Sequence, residues 1–293
     1  HSACSLTGMA KLLIFSTRLT LARYSSSFLI QSMAIRMRNF YLLAWIFLCL
    51  LTQAAYADTP LLSWQLLKST ARAPDHFTQG LVYADQQLFE STGHYGQSRL
   101  IAYNAQTLDM QKQVLLRANV FGEGLTYLNG KLYQASWKSH EIFVYDTALN
   151  STQTLKINND GWGLTTDGAS LIMSDGSDTL YFLDPATGKT LRKIVVTDNT
   201  GPHWKNINEL EWIDDHILAN VWHSNTVLVI NSNSGRITGQ FDFEKLSQDV
   251  SQRMPARNNE QVLNGLAWNP QTQSLLVTGK DWPLWFELKI QLH

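Results

Sequence analysis

One acidic residue, three amides and one indole occupy equivalent places in a pattern that returns five times along the chain. The copies are short strings built on Gly-Leu, or on Glu-Leu in the fourth. Their first residues are Gln79, Glu123, Trp162, Asn208 and Asn264. A set of equivalent positions chosen for packing alone would be small or aliphatic, and a buried amide without a partner costs roughly 1–3 kcal/mol. We call these five positions the first ring. They predict either a polar cluster whose side chains hydrogen-bond to one another or a ligand site.

A second set of equivalent positions follows the second apolar run of each copy. This second ring consists of Gly93, Trp137, Gly176, Trp222 and Lys280. Phe77 and Phe121 stand two residues before the first-ring positions of their copies. Together the two rings predict an aromatic-walled cavity with one carboxylate, one ammonium and several amides. A cavity that is apolar in bulk and has a few placed polar groups is typical of a small-molecule site.

The elements that must position these residues are short strands and tight turns. Each copy contains three apolar runs, and turn signals such as Asn129-Gly130 and Asp167-Gly168 separate them. Asn-Gly and Asp-Gly between apolar runs favour hairpins. Self-similarity at this spacing indicates a β-propeller, so the sequence predicts an all-β, five-bladed β-propeller. A helix is expected over 243–253, in the longest interval between copies.

A propeller must join its first and last blades, because unpaired strand edges would otherwise remain. The segment 64–67 precedes the first copy and has no blade of its own. We therefore expect it to add the outer strand to the last blade, beside 284–288. Trp212, Trp268 and Trp285 are expected to pack between blades.

The N-terminal part has the order of a secretory signal. A basic start at 37–39 precedes an apolar core over 40–51, and Ala55-Tyr56-Ala57 is a small-x-small cleavage site. The core is short for a membrane span, which needs roughly 20 residues. We therefore expect a signal peptide over 37–57, a single catalytic domain over 58–293, and an exported protein, periplasmic or secreted, without a retained membrane anchor. Residues 1–36 are interpreted as an upstream segment outside the mature protein.

The balance of charged residues and the positions of the cysteines exclude some classes of function. Five of the 23 Lys and Arg residues, and none of the 24 Asp and Glu residues, precede residue 58, which leaves an acidic domain. An acidic domain argues against a nucleic-acid surface, which needs a basic field. Cys4 and Cys49 both fall in the part expected to be removed, so no disulfide is predicted. The histidines lack metal-ligand spacing, so neither a metal nor another cofactor is expected, and a closed propeller is expected to be a monomer.

The chain resembles the plant and bacterial type of glutaminyl-peptide cyclotransferase at several strings in the same order. They are His76-Phe77-Thr78-Gln79-Gly80-Leu81, Phe89-Glu90-Ser91-Thr92-Gly93, Phe121-Gly122-Glu123-Gly124-Leu125-Thr126, Asn208-Glu209-Leu210-Glu211-Trp212, Asn220-Val221-Trp222, Asn264-Gly265-Leu266-Ala267 and Gly279-Lys280-Asp281-Trp282. The resemblance extends over residues 64–288. It implies a five-bladed propeller that converts an N-terminal glutamine of peptides or proteins into pyroglutamate and releases ammonia. It also implies a fold unrelated to the zinc-dependent animal enzymes of the same activity.

The resemblance places the essential acid on Glu123. It places the channel residues on Phe77, Gln79, Phe121, Trp137, Trp162, Asn208, Trp222 and Lys280. We interpret Glu123 as the proton shuttle and Lys280 as a stabiliser of the developing oxyanion. Gln79, Asn208 and Asn264 are candidates to hold the substrate by hydrogen bonds. Glu90 is either a secondary channel carboxylate or a buried salt-bridge partner.

Two other functions remain open from the residues. A secreted propeller could bind a peptide or envelope component without transforming it. A metal-dependent, lactonase-like hydrolase would need several carboxylates around a divalent ion, and the first ring supplies only one. By placement alone, Glu123 could also be a strand-end carboxylate paired with a lysine.

Overall fold

The computed structural model describes Arg38 and residues 59–292, except positions 200, 202, 203, 255 and 257. Within these residues, twenty β-strands form five antiparallel sheets of four strands each, so the predicted five-bladed propeller is confirmed. Strands are numbered in chain order, and each of the first four blades uses four consecutive ones.

The first blade contains β2 (Thr78–Ala84), β3 (Gln87–Thr92), β4 (Arg99–Asn104) and β5 (Met110–Leu115). The second contains β6 (Gly122–Leu128), β7 (Lys131–Ser136), β8 (Glu141–Asp146) and β9 (Ser151–Lys156). The third contains β10 (Leu164–Thr166), β11 (Leu171–Ser174), β12 (Thr179–Leu183) and β13 (Thr190–Val195). The fourth contains β14 (Ile207–Ile213), β15 (His216–Val221), β16 (Thr226–Asn231) and β17 (Ile237–Asp242). The fifth contains β18 (Leu263–Asn269), β19 (Ser274–Gly279), β20 (Leu284–Ile290) and β1 (Trp64–Ala71).

The fifth blade combines strands from the two ends of the described region. Strand β1 pairs antiparallel with β20, with Trp64 opposite Ile290 and Ala71 opposite Leu284. This pairing covers the edge that β20 would otherwise expose. The blade is therefore held by backbone hydrogen bonds between residues far apart in sequence.

Hairpins with positive backbone φ angles connect neighbouring strands. Asn129 and Gly130 have φ angles of 50° and 80°, as a tight two-residue hairpin requires. Asp214 and Asp215 adopt the same pattern at 45° and 62°, although neither is glycine. Asp tolerates positive φ angles better than most residues. Asp214 and Asp215 therefore form the turn between β14 and β15.

The first strands of the blades contact one another around the axis, and glycine in the repeat permits that contact. A Cβ on Gly124 would lie 2.3 Å from the backbone nitrogen of Leu164 in the next blade. A Cβ on Gly163 would lie 2.0 Å from the carbonyl oxygen of Asn208. Real Cβ atoms do not approach backbone so closely, so these positions of the Gly-Leu strings exclude larger residues.

The fourth copy has Glu209 where the others have glycine. Its buried carboxyl group accepts hydrogen bonds from the backbone nitrogens of Leu81, at 3.4 Å, and of Leu266, at 3.0 Å. Two positions further along β14, Glu211 accepts a hydrogen bond from the backbone nitrogen of Trp268 at 2.6 Å. The fourth blade is thereby tied to the first and the fifth.

The helix α1 (Glu244–Arg253) lies in the longest interval between copies and confirms the expected helix. Its buried residues Leu246 and Val250 belong to the same hydrophobic cluster as Phe241 and Phe286. Trp285 is fully buried, whereas Trp212 and Trp268 are partly buried against clusters of neighbouring blades. The three tryptophans therefore contribute to packing.

The chain divides into two units, residues 1–57 and 58–293. The predicted upstream segment and signal peptide lie outside the described residues, apart from Arg38. Across the described region, no helix is long and apolar enough to cross a membrane.

Candidate active site

All five blades contribute to one cavity of about 290 Å³. Nine of the residues singled out in the sequence line it: Phe77, Gln79, Phe121, Glu123, Trp137, Trp162, Asn208, Trp222 and Lys280. His94 and Glu260 complete the lining. Residues that are dozens of positions apart in the chain thus converge at one place.

Irregularities in the first strands coincide with the first-ring residues. The strand register shifts between Thr78 and Gly80, and again between Gly122 and Leu125. Equivalent shifts occur at Asn208 and Asn264. A β-bulge bends its strand and redirects a side chain. The bulges explain how the first ring leaves the regular alternation of the strands.

The two glycines of the second ring make room for aromatic side chains. A Cβ on Gly93 would lie 2.3 Å from the Phe121 ring. A Cβ on Gly176, which has a φ of 83°, would lie 2.8 Å from the Trp162 ring. The absence of a side chain at Gly93 and Gly176 therefore leaves room in the cavity wall for the rings of Phe121 and Trp162.

The aromatic wall is made of edge-to-face contacts. Trp162 and Trp222 pack with ring centroids 5.6 Å apart and planes at 86°. Phe121 packs against Phe77 at 6.3 Å and against Trp137 at 5.8 Å. This geometry is favourable for aromatic pairs and fixes their rings. The wall is therefore rigid and apolar.

Glu123 is 6% exposed. Burial raises the pKa of its carboxyl well above the usual range, the Lys280 ammonium opposes that rise, and Asp160 adds to it. Desolvation dominates because a charged carboxylate in an apolar wall loses its hydration. The protonated form is thus available at a pH where an ordinary glutamate would be fully ionised.

Lys280 is 4% exposed, and its Nζ lies 4.8 Å from the Phe77 ring centroid and 5.5 Å from that of Trp222. Burial lowers the pKa of its amine, while Glu123, Glu260 and Asp281 raise it. The aromatic faces and the nearby acids favour its cationic form. Glu123 and Lys280 are therefore an acid and a base of the lining whose charges depend on each other.

Two buried polar atoms of the lining have no hydrogen-bond partner among the described residues. They are Oδ1 of Asn208 and Nε1 of Trp222. One is an acceptor and the other a donor. A molecule bound in the cavity, water included, can complete these hydrogen bonds.

Asn264 was expected to bind substrate, but it is fully buried and does not line the cavity. Its Nδ2 donates to the carbonyl oxygen of Thr78 at 2.9 Å and to Oε1 of Gln79 at 3.3 Å. Nδ2 of Asn264 is thus used within the protein, whereas its buried Oδ1 has no hydrogen-bond partner among the described residues. Asn264 orients Gln79, which does line the cavity.

Glu90, which was expected either in the channel or in a buried salt bridge, also lies outside the cavity lining. Its Oε1 lies 2.8 Å from Nη2 of Arg72, and its Oε2 accepts a hydrogen bond from the Tyr103 hydroxyl at 2.6 Å. Burial would raise the pKa of Glu90, but Arg72 and His76 hold it well below its usual range. Glu90 is the buried salt-bridge partner that the sequence left as the alternative.

Sequence reasoning missed His94 and Glu260. The His94 ring packs 4.0 Å from that of Phe77, and its backbone has a φ of 81°. Glu260 lies in the segment between α1 and β18, with Oε1 3.7 Å from Nε2 of His223. Neither belongs to an equivalent position of the repeat. For His94, its place directly after the ring residue Gly93 was the available signal.

The lining is poor in metal ligands. Among the described residues, no group of three or more His, Cys, Asp and Glu side chains could hold a metal ion. Glu123 and Glu260 are the carboxylates of the lining, and Lys280 lies near both. The side chains present suit an organic ligand with hydrogen-bonding groups.

Fold and site together define a five-bladed β-propeller with a small-molecule site where its blades converge. The family model described as glutamine cyclotransferase matches residues 41–290. The chain belongs to this family of enzymes, as its motifs predicted.

Two relatives illustrate the similarity. The glutaminyl-peptide cyclotransferase of Arabidopsis thaliana is 40% identical over 221 residues, which cover 74% of this chain and 68% of that protein. The crystal structure of Myxococcus xanthus glutaminyl cyclase matches with a TM-score of 0.74 at 31% identity, over 80% of this chain and 99% of that one.

Proposed function

We propose that the protein converts the N-terminal glutamine of peptides or proteins into pyroglutamate and releases ammonia, with Glu123 as proton shuttle and without a metal ion. The observation that carries the proposal is a buried carboxyl with a raised pKa in a rigid, aromatic-walled cavity of an established cyclotransferase fold. The cavity is small and has donors and acceptors suited to one amide-bearing residue.

The α-amine attacks the carboxamide carbon of the same residue, and a five-membered ring closes. Glu123 takes a proton from the attacking nitrogen as the new C–N bond forms. It then gives that proton to the amide nitrogen, so that the old C–N bond breaks and ammonia leaves. One group can serve in both steps if its pKa lies near the working pH, and the raised pKa of Glu123 supports this role.

Orientation supplies much of the remaining rate enhancement. Both reacting groups belong to one residue, so the enzyme needs only to hold the folded-back rotamer. Well-oriented intramolecular reactions gain up to roughly 7–11 kcal/mol. The crossed rings of Trp162 and Trp222 supply a wall against which that rotamer would be held.

Polar groups would stabilise the charge that develops on the carboxamide oxygen. The Lys280 ammonium is the cation of the lining and is our candidate for this oxyanion. Oδ1 of Asn208 would accept a hydrogen bond from the substrate amine or amide, and Nε1 of Trp222 would donate one. Gln79, oriented by Asn264, is the remaining amide of the lining.

The test is ammonia release from glutaminyl peptides, measured with and without a chelator. Release that a chelator does not change supports the proposal. Release that a chelator abolishes, and that added metal restores, would contradict the metal-free mechanism. Peptide binding without release would favour the alternative of a non-catalytic binding propeller.

We also propose that the protein is exported, that residues 1–57 are absent from the mature protein, and that the mature protein is a monomer that does not bind nucleic acid. The signal pattern at 37–57 and the acidic balance of 58–293 support this. N-terminal sequencing of protein recovered outside the cytoplasm should begin near Asp58. A cytoplasmic protein that keeps 37–57 would refute the export proposal, and a dimer in sedimentation would refute the monomer.

A further inference from the structure

A second pocket lies beside the active-site cavity. This outer groove has a volume of about 350 Å³ and is lined by Tyr95, Arg117, Asn119, Lys138, Ser139 and Glu141. The proposed reaction does not use any of these residues. Their position next to the cavity raises the question of what the groove binds.

Two aromatic residues of the cavity wall connect the two spaces. The Phe121 ring, which lines the cavity, packs edge-to-face against the Tyr95 ring with centroids 5.5 Å apart. Nζ of Lys138 lies 4.8 Å from the ring centroid of Trp137, which also lines the cavity. The outer groove therefore begins one side chain away from the cavity wall.

The active-site cavity, at about 290 Å³, lies at the lower end of the volumes of small-molecule pockets, about 300–1,000 Å³, so most of a longer peptide must lie outside it. The part of a peptide substrate that follows its N-terminal glutamine must therefore extend out of the cavity. Tyr95 is 50% exposed and packs against Phe121 of the cavity wall, so it offers an aromatic surface next to the cavity. A peptide backbone that crosses Tyr95 reaches the outer groove.

The groove is polar, and its accessible charge is positive. The Arg117 and Lys138 side chains are 60% and 57% exposed, whereas Glu141 is only 10% exposed. Glu141 is shared by Arg117 and Lys156, and Asp160 pairs with Lys138 at 2.5 Å. Three cations thus face two acids in this cluster. A carboxylate of a bound peptide would neutralise the remaining positive charge.

We propose that the outer groove binds the peptide chain immediately after the N-terminal glutamine and favours acidic side chains there. Arg117 and Lys138 select the charge, and Tyr95 supports the chain as it leaves the cavity. The inference rests on the proposed function, because it assigns a specificity site to that reaction.

The test compares kcat/KM for three peptides that begin with glutamine and continue with two glutamates, two alanines or two lysines. Glutamine amide, which has no following chain, is the reference. The wild-type protein should prefer the glutamate peptide over the lysine peptide by roughly two- to fivefold at low salt, as expected of exposed ion pairs. The preference should shrink as salt is added.

Arg117→Gln should lower the ratio of kcat/KM for the glutamate peptide to that for glutamine amide, through KM rather than kcat. Tyr95→Ala should lower this ratio for all three peptides. Lys189→Gln, an exposed lysine in the turn between β12 and β13, is the matched control and should leave the ratio unchanged. A wild-type protein without charge preference, or equal losses for peptides and glutamine amide in Arg117→Gln, would overturn the proposal.

Peptide affinity, measured by calorimetry on Glu123→Gln protein with and without Arg117→Gln, separates this proposal from the proposed function. A tighter complex with the glutamate peptide that depends on Arg117 supports the groove even if the wild-type protein releases no ammonia. Equal affinities for the glutamate and lysine peptides would overturn the groove even if turnover is normal.

Discussion

The Glu123 carboxyl and the Lys280 ammonium line the same cavity, and each shifts the pKa of the other toward the charged form. Burial acts in the opposite direction on both, because an apolar wall favours neutral groups. The balance leaves the pKa of Glu123 raised and that of Lys280 lowered. The pKa values of the two groups are thereby shifted toward each other.

Glu123→Gln should fold normally and lose nearly all cyclisation. The substitution keeps the shape of the side chain but removes the proton carrier, and loss of an acid–base group typically lowers the rate about 10²–10⁴-fold. Ammonia release and thermal unfolding measure the two expectations. Glu244→Gln, at the start of α1, is the control and should keep wild-type turnover. Near-wild-type release by Glu123→Gln would end the assignment.

Lys280→Met should move the acid limb of the kcat/KM profile to higher pH and lower the rate. Without the ammonium, burial acts unopposed on Glu123 and its pKa rises further. The pH dependence of kcat/KM reports the ionisation of the free enzyme. A limb that stays in place, or that moves to lower pH, would show that Lys280 does not act on the carboxyl that governs the rate.

Glu90→Gln should destabilise the protein while the folded molecules keep their turnover number. The change leaves the buried Arg72 guanidinium without its charge partner, which typically costs about 3–5 kcal/mol. Denaturant unfolding measures the loss. Replacing both partners, as in Arg72→Met with Glu90→Leu, should recover part of it. A fall in kcat with unchanged stability would instead return Glu90 to the substrate site.

Glu211→Gln should stabilise the protein at pH 8 more than at pH 5. Burial raises the pKa of Glu211 to about 8, although hydrogen bonds from backbone nitrogens oppose the rise. Between the unfolded pKa near 4.5 and the folded value, the folded state holds a proton that the unfolded state releases, so stability falls as pH rises through this window. Glutamine keeps an acceptor for Trp268 and removes this dependence.

The gain from Glu211→Gln at pH 8 should be on the order of a few kcal/mol, since one pKa unit corresponds to about 1.4 kcal/mol. Thermal unfolding at the two pH values measures it. Glu209, whose pKa burial and Glu211 both raise, should show the same trend in Glu209→Gln. An equal change in melting temperature at both pH values would contradict the prediction.

The number of blades, the hairpins and most of the cavity lining could be predicted from the sequence. Repetition makes this possible, because equivalent positions of a propeller face the same axis and a ring such as Gln79, Glu123 and Asn208 can be read by alignment. The turn at Asn129-Gly130 could also be predicted, because its positive φ angles suit these two residue types.

Which polar groups face the cavity depends on the packing of the folded chain. Asn264 belongs to the same ring as Asn208, yet its Nδ2 donates to the backbone of Thr78 and to the side chain of Gln79, and it does not line the cavity. Asn208 does line the cavity, and its Oδ1 has no partner among the described residues. Glu90 and Glu123 are both buried carboxyls, and the position of Arg72 separates their roles. His94 and Glu260 enter the lining from loops outside the repeat. Hydrogen bonds and ion pairs between distant segments depend on distances that a repeat pattern does not contain.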